Sequence, residues 1–467
     1  MLRFLKGFGP VVFLYLLIAY GLPKPVAVKQ EAWQLFGIFA ATVLGLILQP
    51  VPGGAMVLIG VVFSAILGGL TIQSALSGYS DPMVWLVLTA FLISRALLNT
   101  GLARRIALIF VRMFGTTSVG ITYALAATDA LLATIIPSNG ARSGGVTLPL
   151  ARSIAELYGS TPGVTAGRLG AYLMVAVYQS VCMGAAMFFT GQASNPIAAQ
   201  IAGQNGFPIT WGSWFVAGSV PGIVSLAVIP LVVMKLFPPE IKKTPEAAAF
   251  AADELLKMGP MSRAERILAV VFAGVCVMWA TAGRHGIDIT VTALLGASAL
   301  LLTGVLTWDD VKSEKTAWDM FVWYGGLVRL GRALNEGGVM RAFADSMGGW
   351  FADTPWPFMF GVALLIYFYA HYAFASITAH LLAMYPPFLA VLVLNGAPVG
   401  LVAFAFACFV NFSSGLTNYG TTPAPMYFAQ EYVSMKDWFR VGAVVSVSNV
   451  LIWATVGFGW WKLLGIW

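Results

Sequence analysis

The stretch Pro137-Ser138-Asn139-Gly140-Ala141-Arg142-Ser143-Gly144-Gly145 interrupts an apolar segment, 118–158, near its middle. That segment is too long for one membrane helix, because about 20 residues cross a bilayer. Proline and glycine stop a helix here, while serine and asparagine can cap the backbone groups that a helix end exposes. The stretch therefore reads as the tip of a re-entrant helical hairpin. Irregular backbone at membrane depth is tolerated only where it is buried in protein or lines a cavity.

The rest of the chain supplies the membrane setting. Of its 467 residues 59% are hydrophobic and 10% charged, and the mean hydropathy is +0.84. Soluble proteins carry about 25% charged residues, so a soluble globular domain is excluded. No Asp, Glu, Lys or Arg occurs from Ala32 to Ser80, from Leu169 to Met234, or from Thr354 to Gln430. Spans are expected near 8–22, 32–49, 53–70, 83–99, 168–200, 214–236, 266–283, 289–306, 318–334, 398–430 and 438–464. The fold class is an all-α polytopic membrane protein with about eleven transmembrane helices. The first apolar stretch lacks a small-residue cleavage site and reads as a span, not a signal peptide.

Three further polar breaks lie in apolar sequence. A second over-long segment, 356–396, is broken at Ala375-Ser376-Ile377-Thr378 and reads as a second hairpin. The fifth span breaks at Thr190-Gly191-Gln192-Ala193-Ser194-Asn195-Pro196, and the tenth at Ser413 to Pro425. Paired interrupted segments in two halves of a chain point to a transporter binding site. Ser, Thr and Asn in membrane helices often only hold helices together. Four such breaks, paired across two halves, favour a site.

The halves read as copies. Arg95-Ala96-Leu97, followed by Gly101, Arg104 and Ala107, recurs as Arg332-Ala333-Leu334, Gly338, Arg341 and Ala344. The expected division is a first half over 1–236, a cytoplasmic linker over 237–265 and a second half over 266–467, related as an inverted repeat. Arg3, Lys6, Arg104, Arg105, Arg112, Lys235, Lys242, Lys243, Lys257, Arg263, Arg266, Lys436 and Arg440 then share one face. Placing that face in the cytoplasm gives an N-terminus inside and a C-terminus outside a cell (inner) membrane. The net charge of +7 is thus a topology signal and not a nucleic-acid surface.

Helix N-termini converging on one cavity favour an anion. Arg142 stands four residues beyond Ser138, and His380 four beyond Ser376. Charged groups at membrane depth mark ion or substrate paths, so both are expected to supply charge to the site. Asp129 is placed roughly 13 Å down the hairpin by helical rise, too far to pair with Arg142. Arg95 and Arg332 are expected to snorkel. Cys182, Cys276 and Cys408 lie in apolar runs, and three histidines make no metal cluster, so no metal site, cofactor or enzymatic activity is expected.

These motifs resemble the divalent anion/sodium symporter family, in the branch of 2-oxoglutarate/malate translocators and citrate or tartrate/succinate antiporters. The residues that carry the resemblance are Pro137 to Gly145 and Leu416-Thr417-Asn418-Tyr419-Gly420-Thr421-Thr422-Pro423-Ala424-Pro425. The resemblance implies a homodimer, a scaffold holding the dimer, a mobile transport domain and an elevator motion. It also implies small carboxylate substrates. The family signature is Ser-Asn-Thr at each hairpin tip. Here Gly140 stands for the threonine of the first signature, and Ile377 for the asparagine of the second.

Losing those oxygens favours a sodium-independent exchanger of di- or tricarboxylates over a sodium symporter; sodium is the cofactor only under that alternative, and an anion channel is the remote third. Ser138, Asn139, Gly140, Ser376 and Thr378 are expected to hold carboxylates. Ser194, Asn195, Thr417, Asn418, Thr421 and Thr422 are expected on the facing walls, and Arg142 and His380 as the source of charge. A positive empty site would cross the membrane slowly, which favours exchange.

Overall fold

The computed structural model describes residues 2–348 and 354–467, and among these there is no β-strand. The chain begins with α1 (Leu2–Leu16), α2 (Gln30–Leu48), α3 (Gly53–Ile66) and α4 (Pro82–Asn99). Asp81 caps α4 by accepting the Met83 N–H at 2.8 Å, and Pro82 occupies the first helical position, where its missing donor costs nothing. An amphipathic helix, α5 (Leu102–Phe114), then leads into the first hairpin.

The segment 118–158 folds as two helical arms joined at a break. Its arms are α6 (Ser118–Ala133) and a return arm that runs through α7 (Asn139–Arg142), a π turn (Ser143–Thr147) and α8 (Leu148–Leu157). The first broken span is α9 (Gly170–Met187) followed, after the break, by α10 (Ser194–Gln204). Every residue of α9 is buried, which makes it the axis of its bundle, against α6, α11 (Trp211–Leu236) and a later broken helix.

The segment expected as a linker contains α12 (Pro245–Met258), packed on α5. Arg105 Nε meets Glu265 at 2.6 Å and Arg104 meets Glu254 at 2.7 Å, so the linker is bonded down. Next come α13 (Arg263–Ala280), α14 (Ile289–Leu302), α15 (Lys315–Glu336) and α16 (Val339–Gly348). The second hairpin consists of α17 (Trp356–Tyr369) and α18 (Ile377–Leu394). The second broken span is α19 (Val399–Ser413) and α20 (Pro423–Phe428), and α21 (Met435–Ile452) and α22 (Phe458–Leu463) close the chain.

Eight helices among the described residues are long and apolar enough to cross a membrane, and four shorter apolar helices accompany them. The expected spans at α13 and α15 do not meet that measure. Arg263, Glu265 and Arg266 crowd the start of one, and Lys315, Asp319, Arg329, Arg332 and Glu336 punctuate the other.

Two packed groups result. Helices α2, α3, α4, α14 and α15 form one; the hairpins, the broken helices, α11 and α21 form the other. They are bonded to each other at one end: Asp81 accepts from Gln200 Nε2 of α10 at 2.9 Å and pairs with Arg332 of α15. Arg332 is thus an ion-pair partner and not a free snorkelling cation. Arg95 likewise meets Glu314 at 3.6 Å.

Candidate functional site

A cavity of about 350 Å³ lies between the two groups. Both hairpin tips open onto it through Ser138, Asn139, Ser376, Ile377 and Thr378, and both helix breaks do so through Gln192, Ala193, Thr421 and Thr422. The facing wall comes from the first group: Gln49 after α2, Gly53 at the start of α3, Phe91 on α4, and Thr316, Asp319 and Trp323 on α15. Thr316 and Asp319 are in the first turns of α15, whereas Arg332 is near its far end, about 20–24 Å away by helical rise. The cavity therefore leads toward one end of the first group while Gln200–Asp81–Arg332 joins the groups at the other.

The tips are built alike. Ser138 and Ser376 both have extended backbone, and each hydroxyl oxygen accepts the N–H three residues on, from Ala141 at 3.1 Å and from Ala379 at 3.3 Å. A helix leaves its first N–H groups without intrahelical acceptors. The serines satisfy one at each tip, so the N–H groups of the cavity-lining Asn139, Ile377 and Thr378 stay available. Such helix starts attract anions.

Asn139 does more than line the wall. Its Nδ2 donates to Thr421 Oγ1 at 3.0 Å, tying the first tip to the second helix break. Gly140 fits against the same break, because a Cβ there would lie 2.7 Å from Thr422 Cγ2. The glycine that departs from the family signature thus leaves room for a threonine arriving from another segment.

Several predicted site residues lie behind the wall. Arg142 is fully buried, and its Nε donates to Asp129 Oδ1 at 2.8 Å. Its Nη1 donates to the carbonyls of Ile136 at 2.8 Å and Gly191 at 2.7 Å. The expectation that Asp129 is out of reach is therefore wrong. Rise along one straight helix does not apply, since the chain reverses near Pro137 and brings the return arm back beside α6. Asp129 itself fits because Gly184 has no side chain; a Cβ there would come 2.4 Å from its Oδ2. The positive charge expected at the empty site is offset by this pair.

His380 is likewise buried, with its Nδ1 2.8 Å from His371 Nδ1. His371 Nε2 lies 2.9 Å from the Gly420 carbonyl. Since a carbonyl only accepts, His371 carries its proton on Nε2 and accepts from His380 through Nδ1. The pair ties the second hairpin to the second helix break. Asn195 donates to the carbonyls of Ala185 at 2.8 Å and Phe188 at 2.9 Å, and accepts from Asn411 at 2.8 Å. It stitches the two broken helices together. Ser194 and Thr417 are buried beside these breaks, and Asn418 is half-buried outside the cavity.

Of the predicted residues, the structure brings Ser138, Asn139, Ser376, Thr378, Thr421 and Thr422 to the cavity, with Gly140 packed directly behind. Sequence reasoning missed Gln49, Gln192, Thr316, Asp319 and Trp323 on the wall, and His371 and Asn411 behind it. Gln192 stood within a quoted break; Gln49 reads as an ordinary link between two spans, and Thr316, Asp319 and Trp323 carried no local signal, since all three lie inside one continuous helix.

The description "Sodium:sulfate symporter transmembrane region" matches residues 4–467. Dicarboxylate transporter 1 of Spinacia oleracea chloroplasts is 40% identical over 456 residues, covering 96% of this chain and 80% of the relative. The inner membrane protein YbhI of Escherichia coli is 34% identical over 454 residues, covering 96% and 95%. Among solved structures, the YdaH transporter of Alcanivorax borkumensis matches with a TM-score of 0.58 at 12% identity, covering 85% of this chain and 89% of that one, a likeness of fold alone.

Proposed function

The chain belongs to the divalent anion:sodium symporter family, whose transmembrane region spans residues 4–467, and we propose from that premise that it carries small dicarboxylates across a membrane by exchange. It is a multi-pass membrane transporter, and its relatives include a dicarboxylate transporter and a bacterial inner membrane protein.

One observation carries the substrate class: two serine-capped helix starts face one cavity that no cationic side chain lines. A carboxylate at each tip would accept from the free N–H groups and from the hydroxyls of Thr378, Thr421 and Thr422, with the Asn139 amide beside them. Donors held in place by the fold bind an anion without being reordered.

Sodium-independent exchange is the finer reading. The two positions that depart from the signature are filled by packing and not by oxygen atoms: Gly140 sits against Thr422, and Ile377 is 2% exposed. The charge of Arg142 plays no part in this, since Asp129 offsets it. In this proposal the hairpins and broken helices move as one body against the scaffold, two copies assemble through their scaffolds, and the basic face lies in the cytoplasm, where the cavity opens.

The test is uptake of labelled malate into proteoliposomes, preloaded or empty, with and without sodium. Exchange predicts saturable uptake into preloaded vesicles at equal rates in both media, and little into empty ones. Uptake into empty vesicles that requires a sodium gradient would establish symport instead. Flux without saturation or counter-transport would indicate a channel.

A further inference from the structure

We propose that Asp319 reads the net charge of the bound anion, admitting dicarboxylates and holding off carboxylates that carry a third negative charge. This inference rests on the carboxylate-carrier reading above.

Asp319 alone among the residues lining the cavity carries a charge. It projects from α15, on the wall that faces the hairpin tips, and is exposed to the cavity. Among the described residues it makes no hydrogen bond or ion pair. Its position is nonetheless made for a carboxylate. Gly54, in the first turn of α3, lies against it so closely that a Cβ there would come 2.4 Å from Oδ1. The N-cap of α3 is Pro52, which offers no side-chain cap. A helix start favours negative charge, so the α3 terminus steadies the carboxylate without consuming it as an ion pair.

The cavity is therefore polarised. Hydroxyls, an amide and free N–H groups converge on the tip side; an unpaired carboxylate stands on the other. A dianion with both carboxylates at the tips meets only donors. A third carboxylate must project toward α15, where no cationic side chain receives it and Asp319 repels it. Two unit charges about 6 Å apart, at an effective dielectric constant of about 40, differ from an uncharged pair by roughly tenfold in binding. Rejection of one anion by a fixed like charge is specificity built from repulsion.

The experiment is calorimetric binding of malate, a dianion at pH 7.5, and citrate, a trianion at that pH, to the purified full-length protein. Wild type, Asp319→Asn and Asp319→Glu are compared. Wild type and Asp319→Glu are expected to favour malate over citrate about tenfold or more. Asp319→Asn should narrow that ratio about tenfold, chiefly by tightening citrate. An unchanged ratio in Asp319→Asn, with malate still bound, overturns the proposal and leaves the carrier reading intact. Loss of discrimination in Asp319→Glu equal to that in Asp319→Asn also overturns it, because the charge is then not the cause. A folded wild type that binds neither acid overturns the carrier reading, and this inference with it.

Discussion

The guanidinium of Arg142 and the carboxylate of Asp129 meet at 2.8 Å with both side chains fully buried. Arg142 lies one turn beyond Ser138 on the return arm, and Asp129 one turn before the end of α6 on the other arm. Two further bonds from Arg142 hold the Ile136 carbonyl within the hairpin and the Gly191 carbonyl at the first helix break.

Removing one partner of a buried pair leaves an uncompensated charge, at a cost of about 3–5 kcal/mol. Asp129→Asn and Arg142→Met should each lower thermal stability in detergent sharply. The double variant should lose at least about 1 kcal/mol less than the two single losses together. Additive losses would mean that the two side chains do not stabilise one another.

The bond between Asn139 and Thr421 is expected to matter for transport more than for folding. Asn139→Ala and Thr421→Val should abolish or strongly reduce carboxylate uptake while leaving expression and thermal midpoint near wild type. Their coupling in a double-mutant cycle on binding should be about 0.5–1.5 kcal/mol. Normal uptake by a well-folded Asn139→Ala protein would remove the first tip from the site.

At Gly140 the constraint is space. Gly140→Thr, which restores the family signature, should destabilise the protein by about 1–3 kcal/mol through overpacking against Thr422. Combining it with Thr422→Ala should recover most of that loss. A single variant as stable as wild type would show that Thr422 yields freely.

Cysteines placed at Ser138 and Thr378, in a Cys276→Ser background, should react with a small water-borne thiol reagent and be protected by malate. Cys182 and Cys408 are buried and give little background. Labelling at either position that malate does not slow would break the shared-cavity assignment.

Most of the apolar helices and all four breaks were legible because a bilayer forbids charge and open backbone except for a reason, whereas the charged helices α13 and α15 did not meet the measure of a span. Ser138 and Ser376 were legible as caps because capping is local. Reach across the fold was not. The Asp129–Arg142 contact depends on where the chain reverses, and a count of residues along a straight helix misses it. His371 falls in a short turn before the tip and has no local pattern that ties it to His380 or Gly420. Asp319 sits at the end of an expected span, where charged residues are ordinary; only the packing of α15 across from the tips turns it toward the cavity.

Arg142 also sets what the first hairpin is able to do mechanically. A flap must pivot on something compliant, and this tip is riveted on its inner side to Asp129 and to the first helix break. Lifting it would strand a guanidinium and a carboxylate in apolar surroundings, so the tip has the stiffness of a wall. The softer seam lies along the facing group of helices, whose cavity-facing Gln49, Thr316, Asp319 and Trp323 are, among the described residues, bonded to neither tip. In the motion proposed above, release of a bound anion is slippage along that seam, with the pocket's own shape carried through unchanged.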